Sequence, residues 1–192
     1  MTIPLPDRAA RREELLDAAD RIVRRDGPAA SMAAIAAEAG ISKPILYRHF
    51  GDKSGLYAAL AERYTARLLA DLQAALRSGS TRRGRVERTI EAYLSAIEEE
   101  PQVYRFLVHS DEAAPAQSQV RSFTRRLSAL LAEGIATEID ASPARAAAWG
   151  HGIVGMVQSA GDWWLETGGA TRAELVHELT ELLFGAYGTS PS

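Results

Sequence analysis

The chain has 192 residues, 24% of them charged, and a formal net charge of −3. It is long enough to bury a substantial core, as one large domain or two small ones. It has no cysteine, which excludes disulfides, thiolate metal sites and cysteine nucleophiles and suits a reducing cytoplasm.

Residues 1–12 hold no apolar run of the kind that opens a secretory signal, and no later segment approaches the ~18 apolar residues of a membrane span. The expectation is a cytoplasmic protein with no membrane partner. Charge is unevenly spread. Residues 1–53 carry nine Lys/Arg against eight Asp/Glu, whereas the remainder carries thirteen against seventeen. A locally positive patch on an acidic body suits contact with phosphates at one place.

Over 8–25, Leu15, Leu16, Ala19, Ile22 and Val23 share one helical face, and Gly27-Pro28 ends the helix. Residues 31–53, SMAAIAAEAGISKPILYRHFGDK, follow as the most informative stretch. Met32, Ile35, Ala36 and Ala39 recur at i, i+3, i+4 and i+7, which predicts a two-turn helix with Ser31 as its N-cap. Gly40 sits where a left-handed residue is wanted. Ser42 then caps a second helix, and Pro44 falls in its first turn, where a missing N–H costs nothing. Two short helices joined by a glycine turn are helix-turn-helix grammar. The second helix of such a unit can lie in the major groove with its leading side chains on base edges.

Ile45, Leu46 and Phe50 form the apolar side of that second helix, which leaves Lys43, Pro44, Tyr47 and Arg48 facing outward. Lys and Arg can read guanine edges, while Tyr47 and His49 can donate to backbone phosphates. Asp52 caps a long helix from about 53 to 77 whose stripe is Leu60, Tyr64, Leu68, Leu72 and Leu76. Lys53 stands in its first turn, where the macrodipole disfavours a cation unless a phosphate approaches the same helix end. Ser31 and Ser42 are explained by capping, although a hydroxyl there can donate to phosphate as well.

Ser78-Gly79-Ser80 and Gly84 are expected to break the chain before a helix marked by Val86, Ile90, Tyr93, Leu94 and Ile97. Pro101 starts a shorter helix, and 116–138 form another with Val120, Phe123, Leu127, Leu130 and Leu131 inward. Ser142-Pro143 opens a helix running to about Glu166, stopped by Gly168-Gly169. Thr171 and Glu174 make a capping box for the last helix. About nine helices and no alternating strand pattern predict an all-α chain.

The segment ISKPILYRHF (41–50), followed by GDKSGLY, resembles the N-terminal signature of the tetracycline-repressor (TetR) family of transcriptional regulators. The close resemblance covers roughly residues 8–60. It implies a three-helix DNA-binding head over 1–53 and a helical ligand-binding and dimerisation body over 54–192, joined by the long fourth helix. By position, Ser31 and Lys53 resemble the family's phosphate contacts, and Tyr47 and His49 its aromatic-and-histidine pair on the backbone. Ser42, Lys43, Pro44 and Arg48 fall on its recognition surface. Many members have glycine where this chain has Pro44, so base preference cannot be copied from a relative. The function implied is a ligand-responsive regulator, a repressor, acting as a homodimer on a palindromic operator in double-stranded DNA. The alternative is a helical ligand-binding or scaffold protein that has lost DNA binding.

In the body, Ile153, Met156, Ala160 and Trp163, with Gly150, Gly152 and Gly155, supply one expected dimer stripe. Leu175, Leu179, Leu182 and Ala186 supply its partner, giving a four-helix bundle between two chains. Tyr93, Tyr104, Phe106, His109, Phe123, Trp149, Gln158 and Trp164 are candidates for an apolar pocket that takes a small apolar or aromatic effector. No cofactor is expected. The four histidines lie on different segments without metal spacing, and there is no G-x-S-x-G, P-loop or G-x-G-x-x-G, so neither a catalytic nor a metal residue is nominated.

Overall fold

The computed structural model describes residues 8–109 and 114–185, the side chains of 109 and 114–117 excepted. Among these residues it has nine α-helices and no strand: α1 (Arg8–Asp26), α2 (Met32–Glu38), α3 (Lys43–Phe50), α4 (Lys53–Arg77) and α5 (Arg82–Glu99), then α6 (Pro101–His109), α7 (Ala114–Ile139), α8 (Pro143–Thr167) and α9 (Arg172–Gly185). A single 3-10 turn, Gly27–Ala29, follows α1. The chain is all-α, and no described helix is long and apolar enough to cross a membrane.

Helix ends follow from local chemistry. The Ser31 hydroxyl accepts from the Ala34 N–H at 3.2 Å, and the Asp52 carboxylate accepts from the Gly55 N–H at 2.7 Å. At α9 the Thr171 N–H donates to the Glu174 carboxylate at 2.8 Å while the Glu174 N–H donates to the Thr171 hydroxyl at 3.2 Å, closing the capping box. The Thr171 N–H, and after it the Thr171 hydroxyl donating at 2.8 Å, hold the Glu174 carboxyl below the usual range. Gly40 has φ +64, the left-handed turn that separates α2 from α3. Two local expectations differ from what is found. Gly84 does not break the chain but lies inside α5, its N–H bonded to the Thr81 hydroxyl at 3.1 Å. The Ser42 side chain makes no capping bond at the start of α3.

The helices gather into two compact units. One draws on residues up to 65 and on 100–121; the other on 66–99 and from 122 onward. Contiguous sequence puts a boundary at 53/54, but packing adds α6 to the first unit, because Val103 and Phe106 need burial and find it there. In that unit Leu15, Ile22, Ile35, Leu46, Leu60 and Phe106 are all but fully buried in one cluster, and the Tyr57 and Phe106 rings meet edge-to-face at 4.8 Å. Buried polar tips are satisfied. The Tyr57 hydroxyl donates to the Ala30 carbonyl at 2.5 Å, and Tyr64 donates to Asp20, which also pairs with Arg24. Burial, aided by the Asp20 bond, pushes the Tyr64 phenol far above its ordinary value.

In the second unit, α5 and α9 pack together. Arg172 pairs with Glu91 at 2.8 Å and with Glu98 near one end, while Arg83 pairs with Glu181 near the other. Gly150 is where α8 meets α7, since a Cβ there would stand 2.4 Å from the Ser128 carbonyl oxygen. Gly161 plays the same part against Ile97 and Tyr93 of α5.

Candidate nucleic-acid interface and ligand cavity

α3 is held from behind by two side chains. Leu46 is fully buried and Phe50 nearly so, one turn apart on the face toward the core. The Arg12 guanidinium stacks on the Phe50 ring at 4.8 Å. The end of α3 also comes very close to the start of α4: a Cβ on Gly55 would lie 2.0 Å from the Phe50 carbonyl oxygen. These contacts fix which face of α3 looks out.

Lys43, Pro44, Tyr47 and Arg48 are exposed, as their spacing predicts, and so are Ser42 and Ser31. His49 and Lys53 are half-buried, and the Lys53 ammonium stands 5.3 Å from the Tyr57 ring centre. One expectation for this helix fails. Ile45, assigned to the apolar side with Leu46 and Phe50, is 38% exposed and stands on the outward side of the helix, about 60° round from Arg48. The reason is angular: Leu46 and Phe50 lie four residues apart on one line, and Ile45 sits a full 100° away from Leu46.

The second unit contains a cavity of about 500 Å³ between α4, α5, α7, α8 and α9. Apolar side chains dominate its wall, among them Leu72, Ile90, Leu127 and Val157. Of the eight pocket candidates, Tyr93, Phe123, Trp149 and Gln158 line it. Gln158 donates to the Thr124 hydroxyl at 3.4 Å, and Arg145 covers the Trp149 ring at 4.3 Å. The other candidates go elsewhere. Phe106 is core of the first unit, where Tyr104 on the same α6 is only half-buried. Trp164 is buried with its indole N–H donating to the Ala170 carbonyl at 2.7 Å. The His109 side chain lies outside the described residues. Sequence reasoning missed the polar end of the cavity, where Arg85 pairs with Glu138 and the Arg82 Nε stands 3.9 Å from the same carboxylate.

The two expected dimer stripes divide between inside and outside. Leu175 and Leu179 are buried within the chain, Ile153 borders the cavity, and Met156 and Ala160 are half-buried. Trp163 and Leu182 are 49% and 56% exposed. A Cβ added at Gly152 or Gly155 would meet nothing, while Gly150 is taken up by α7. Ala186 lies outside the described residues. Among the described residues no three His, Asp or Glu side chains gather in a way that could hold a metal ion.

The comparisons agree with this geometry. Residues 15–60 match the family model of bacterial regulatory proteins of the tetR family, and 71–192 match a tetracyclin repressor-like C-terminal domain. The helix-turn-helix transcriptional activator FasR of Mycolicibacterium smegmatis is 33% identical over 161 residues, 82% of this chain and 74% of that one. A TetR-like regulator from Rhodococcus sp. RHA1 shares the fold with a TM-score of 0.70 at 28% identity, covering 96% of this chain and 100% of its own. FadR from Bacillus subtilis, solved in complex with stearoyl-CoA, shares the fold at a TM-score of 0.66 and 15% identity, over 89% of this chain and 96% of its own. With 15–60, from within α1 into α4, matched to the family's regulatory-protein model and 71–192 matched to its C-terminal domain, the chain belongs to the TetR family of DNA-binding transcriptional regulators.

Proposed function

We propose that the chain acts as a homodimeric, effector-responsive repressor on a palindromic operator, with 1–53 as the reading head and 54–192 as the effector-binding and dimerisation body. The observation that carries this reading is the outward face of α3, where Lys43, Pro44, Tyr47 and Arg48 are exposed beside a buried Leu46/Phe50 anchor. Lys43 and Arg48 reach guanine edges, with Ser42 and Pro44 against the groove wall. Ser31, Tyr47, His49 and Lys53 hold the sugar-phosphate backbone on either side. Two heads then read half-sites about 34 Å apart or a multiple of that.

The dimer is supported by the outward faces of α8 and α9. Trp163 and Leu182 are two of four large apolar or aromatic side chains exposed among the described residues, and Gly152 and Gly155 leave room for a second backbone beside them. The effector is a small molecule with an apolar or aromatic body. It is supported by the apolar wall of the 500 Å³ cavity and by a protein of the same fold, FadR of Bacillus subtilis, in complex with stearoyl-CoA. The Arg82/Arg85/Glu138 end supplies its polar anchor.

The test is DNA binding to the region flanking the protein's own coding sequence, measured at several salt concentrations. Phosphate contacts give a steep salt slope. Lys53→Ala weakens all sequences alike, whereas Lys43→Ala and Arg48→Ala lose about 1–3 kcal/mol and change base preference. Wild-type binding in all three variants overturns the assignment of this face. The sign of regulation has a second reading, activation, favoured by the 33% identical transcriptional activator FasR. A reporter driven from the bound promoter separates the two: deletion of the regulator raises output for a repressor and lowers it for an activator.

A further inference from the structure

Ile45 is exposed on α3 without a polar atom to offer a phosphate or a base edge. Among the described residues four large apolar or aromatic side chains are exposed, and two of them, Ile45 and Tyr47, stand on the eight residues of α3. Isolated exposed apolar groups need no explanation, but these two stand on one short helix, on either flank of the side turned away from its Leu46/Phe50 anchor. Tyr47 carries a hydroxyl that can serve a phosphate. Ile45 has no polar atom, and a β-branched side chain at an exposed helical site contributes less helix propensity than alanine would. Its neighbour on that side is Arg48, three residues on and about 60° round the helix, with Pro44 on the far side of Arg48; both are exposed.

Resting on the assignment of α3 to the major groove, we infer that Ile45 is a specificity residue that packs on the C5-methyl group of a thymine. That methyl is the single apolar group a base pair presents in the major groove, so it is the chemistry an aliphatic side chain can select there. The charge of Arg48, about 60° from Ile45 round the helix, holds that side of α3 against the base edges, which brings Ile45 to the groove floor without any attraction of its own. Arg48 lies three residues on, one helical turn along the same face. The thymine therefore neighbours the guanine that Arg48 reads, and each half-site carries both. Pro44 adds apolar surface on the other flank and narrows the space, so that a cytosine at that position leaves Ile45 against a polar amine edge.

The experiment begins with an operator recovered from random duplexes by wild-type protein. Each thymine of a half-site is then replaced by uracil, which removes the C5-methyl and keeps base pairing. Affinities are measured for wild type, Ile45→Ala and Arg48→Ala, with circular dichroism to check that each variant is folded. Ile45 is exposed, so its replacement leaves the core intact. One thymine per half-site is expected to show a loss of about fourfold in wild type on conversion to uracil, the worth of one buried methyl-sized group. Changing both half-sites gives about fifteenfold, because distant sites add. In Ile45→Ala the same change has no effect, and affinity for the thymine operator is already reduced.

The inference is overturned if the recovered half-sites hold no thymine beside the guanine, or if uracil weakens wild type and Ile45→Ala equally at every position. In those cases Arg48→Ala still lowers affinity and α3 remains the reading helix. If Arg48→Ala also binds as wild type does, the assignment of α3 to the groove falls together with the inference.

Discussion

The two compact units solve different packing problems. The first buries a continuous apolar core: Leu15, Ile35, Leu46, Leu60 and Phe106 are almost entirely buried, and the Tyr57 and Tyr64 hydroxyls within it are both hydrogen-bonded. The second leaves a cavity of about 500 Å³ among five of its helices, and holds α5 to α9 through Arg83–Glu181 and Arg172–Glu91 ion pairs. A unit that presents a fixed helix face must resist deformation, and dense packing gives that. A unit that takes up a ligand needs space and can tolerate lower local stability. That contrast suits the proposed division between a fixed DNA-facing helix in one unit and effector uptake in the other.

The sharpest way to break this comparison is to truncate the same kind of side chain in each unit. Ile35→Ala removes a fully buried side chain from the first core and is expected to cost about 2–5 kcal/mol in denaturant unfolding. Ile153→Ala, on the cavity wall and half-buried, is expected to cost less than about 2 kcal/mol, because its side chain already borders open space. Equal costs would mean that the second unit is packed as tightly as the first.

Glycines sharpen the same contrast. Gly55→Ala drives a methyl to within 2.0 Å of a backbone oxygen at the α3/α4 junction, and is expected to destabilise by about 1–3 kcal/mol while lowering DNA affinity. Gly155→Ala meets nothing within the chain and should stabilise α8 by up to about 1 kcal/mol in the isolated protomer. Sedimentation at low concentration tests the proposed dimer face, since a methyl at Gly155 then shifts the dimer toward monomer. Wild-type self-association in Gly155→Ala would remove this residue from the interface.

A smaller effect is expected from Tyr57→Phe, which leaves the ring against Phe106 but deletes the donor to the Ala30 carbonyl. A loss of about 1–2 kcal/mol in thermal unfolding follows from the stranded carbonyl. The smallest involves Glu174. Its carboxyl is held below the ordinary value by the Thr171 N–H, so the folded pKa lies under the unfolded one. The cap's contribution is complete above the ordinary carboxylate range and disappears as pH falls through the lowered pKa. The Thr171 amide resonance should follow that titration, and Glu174→Gln should flatten it.

Much of this architecture was legible in the chain before any coordinates. Ser31, Gly40, Asp52 and Thr171-x-x-Glu174 set helix ends through bonds within a few residues, and α4 begins and ends where its cap and the Ser-Gly-Ser run place it. The candidate cavity was half legible. Tyr93, Phe123, Trp149 and Gln158 line it, but Phe106 and Trp164 are apolar and helical in the same way and are buried elsewhere. Periodicity reports that a side chain is buried and is silent about which neighbour buries it.

The sequence by itself determined the helices, their caps and the exposed cationic surface of α3, because those depend on hydrogen bonds and spacing within a turn or two. Only the tertiary structure decided that α6 belongs to the first core, that Ile45 faces outward, that Gly150 is filled by α7 while Gly155 is open, and that Leu179 is inside where Leu182 is out. Each of these turns on which distant helix approaches a given face, and that is set by long-range packing, not by any local preference.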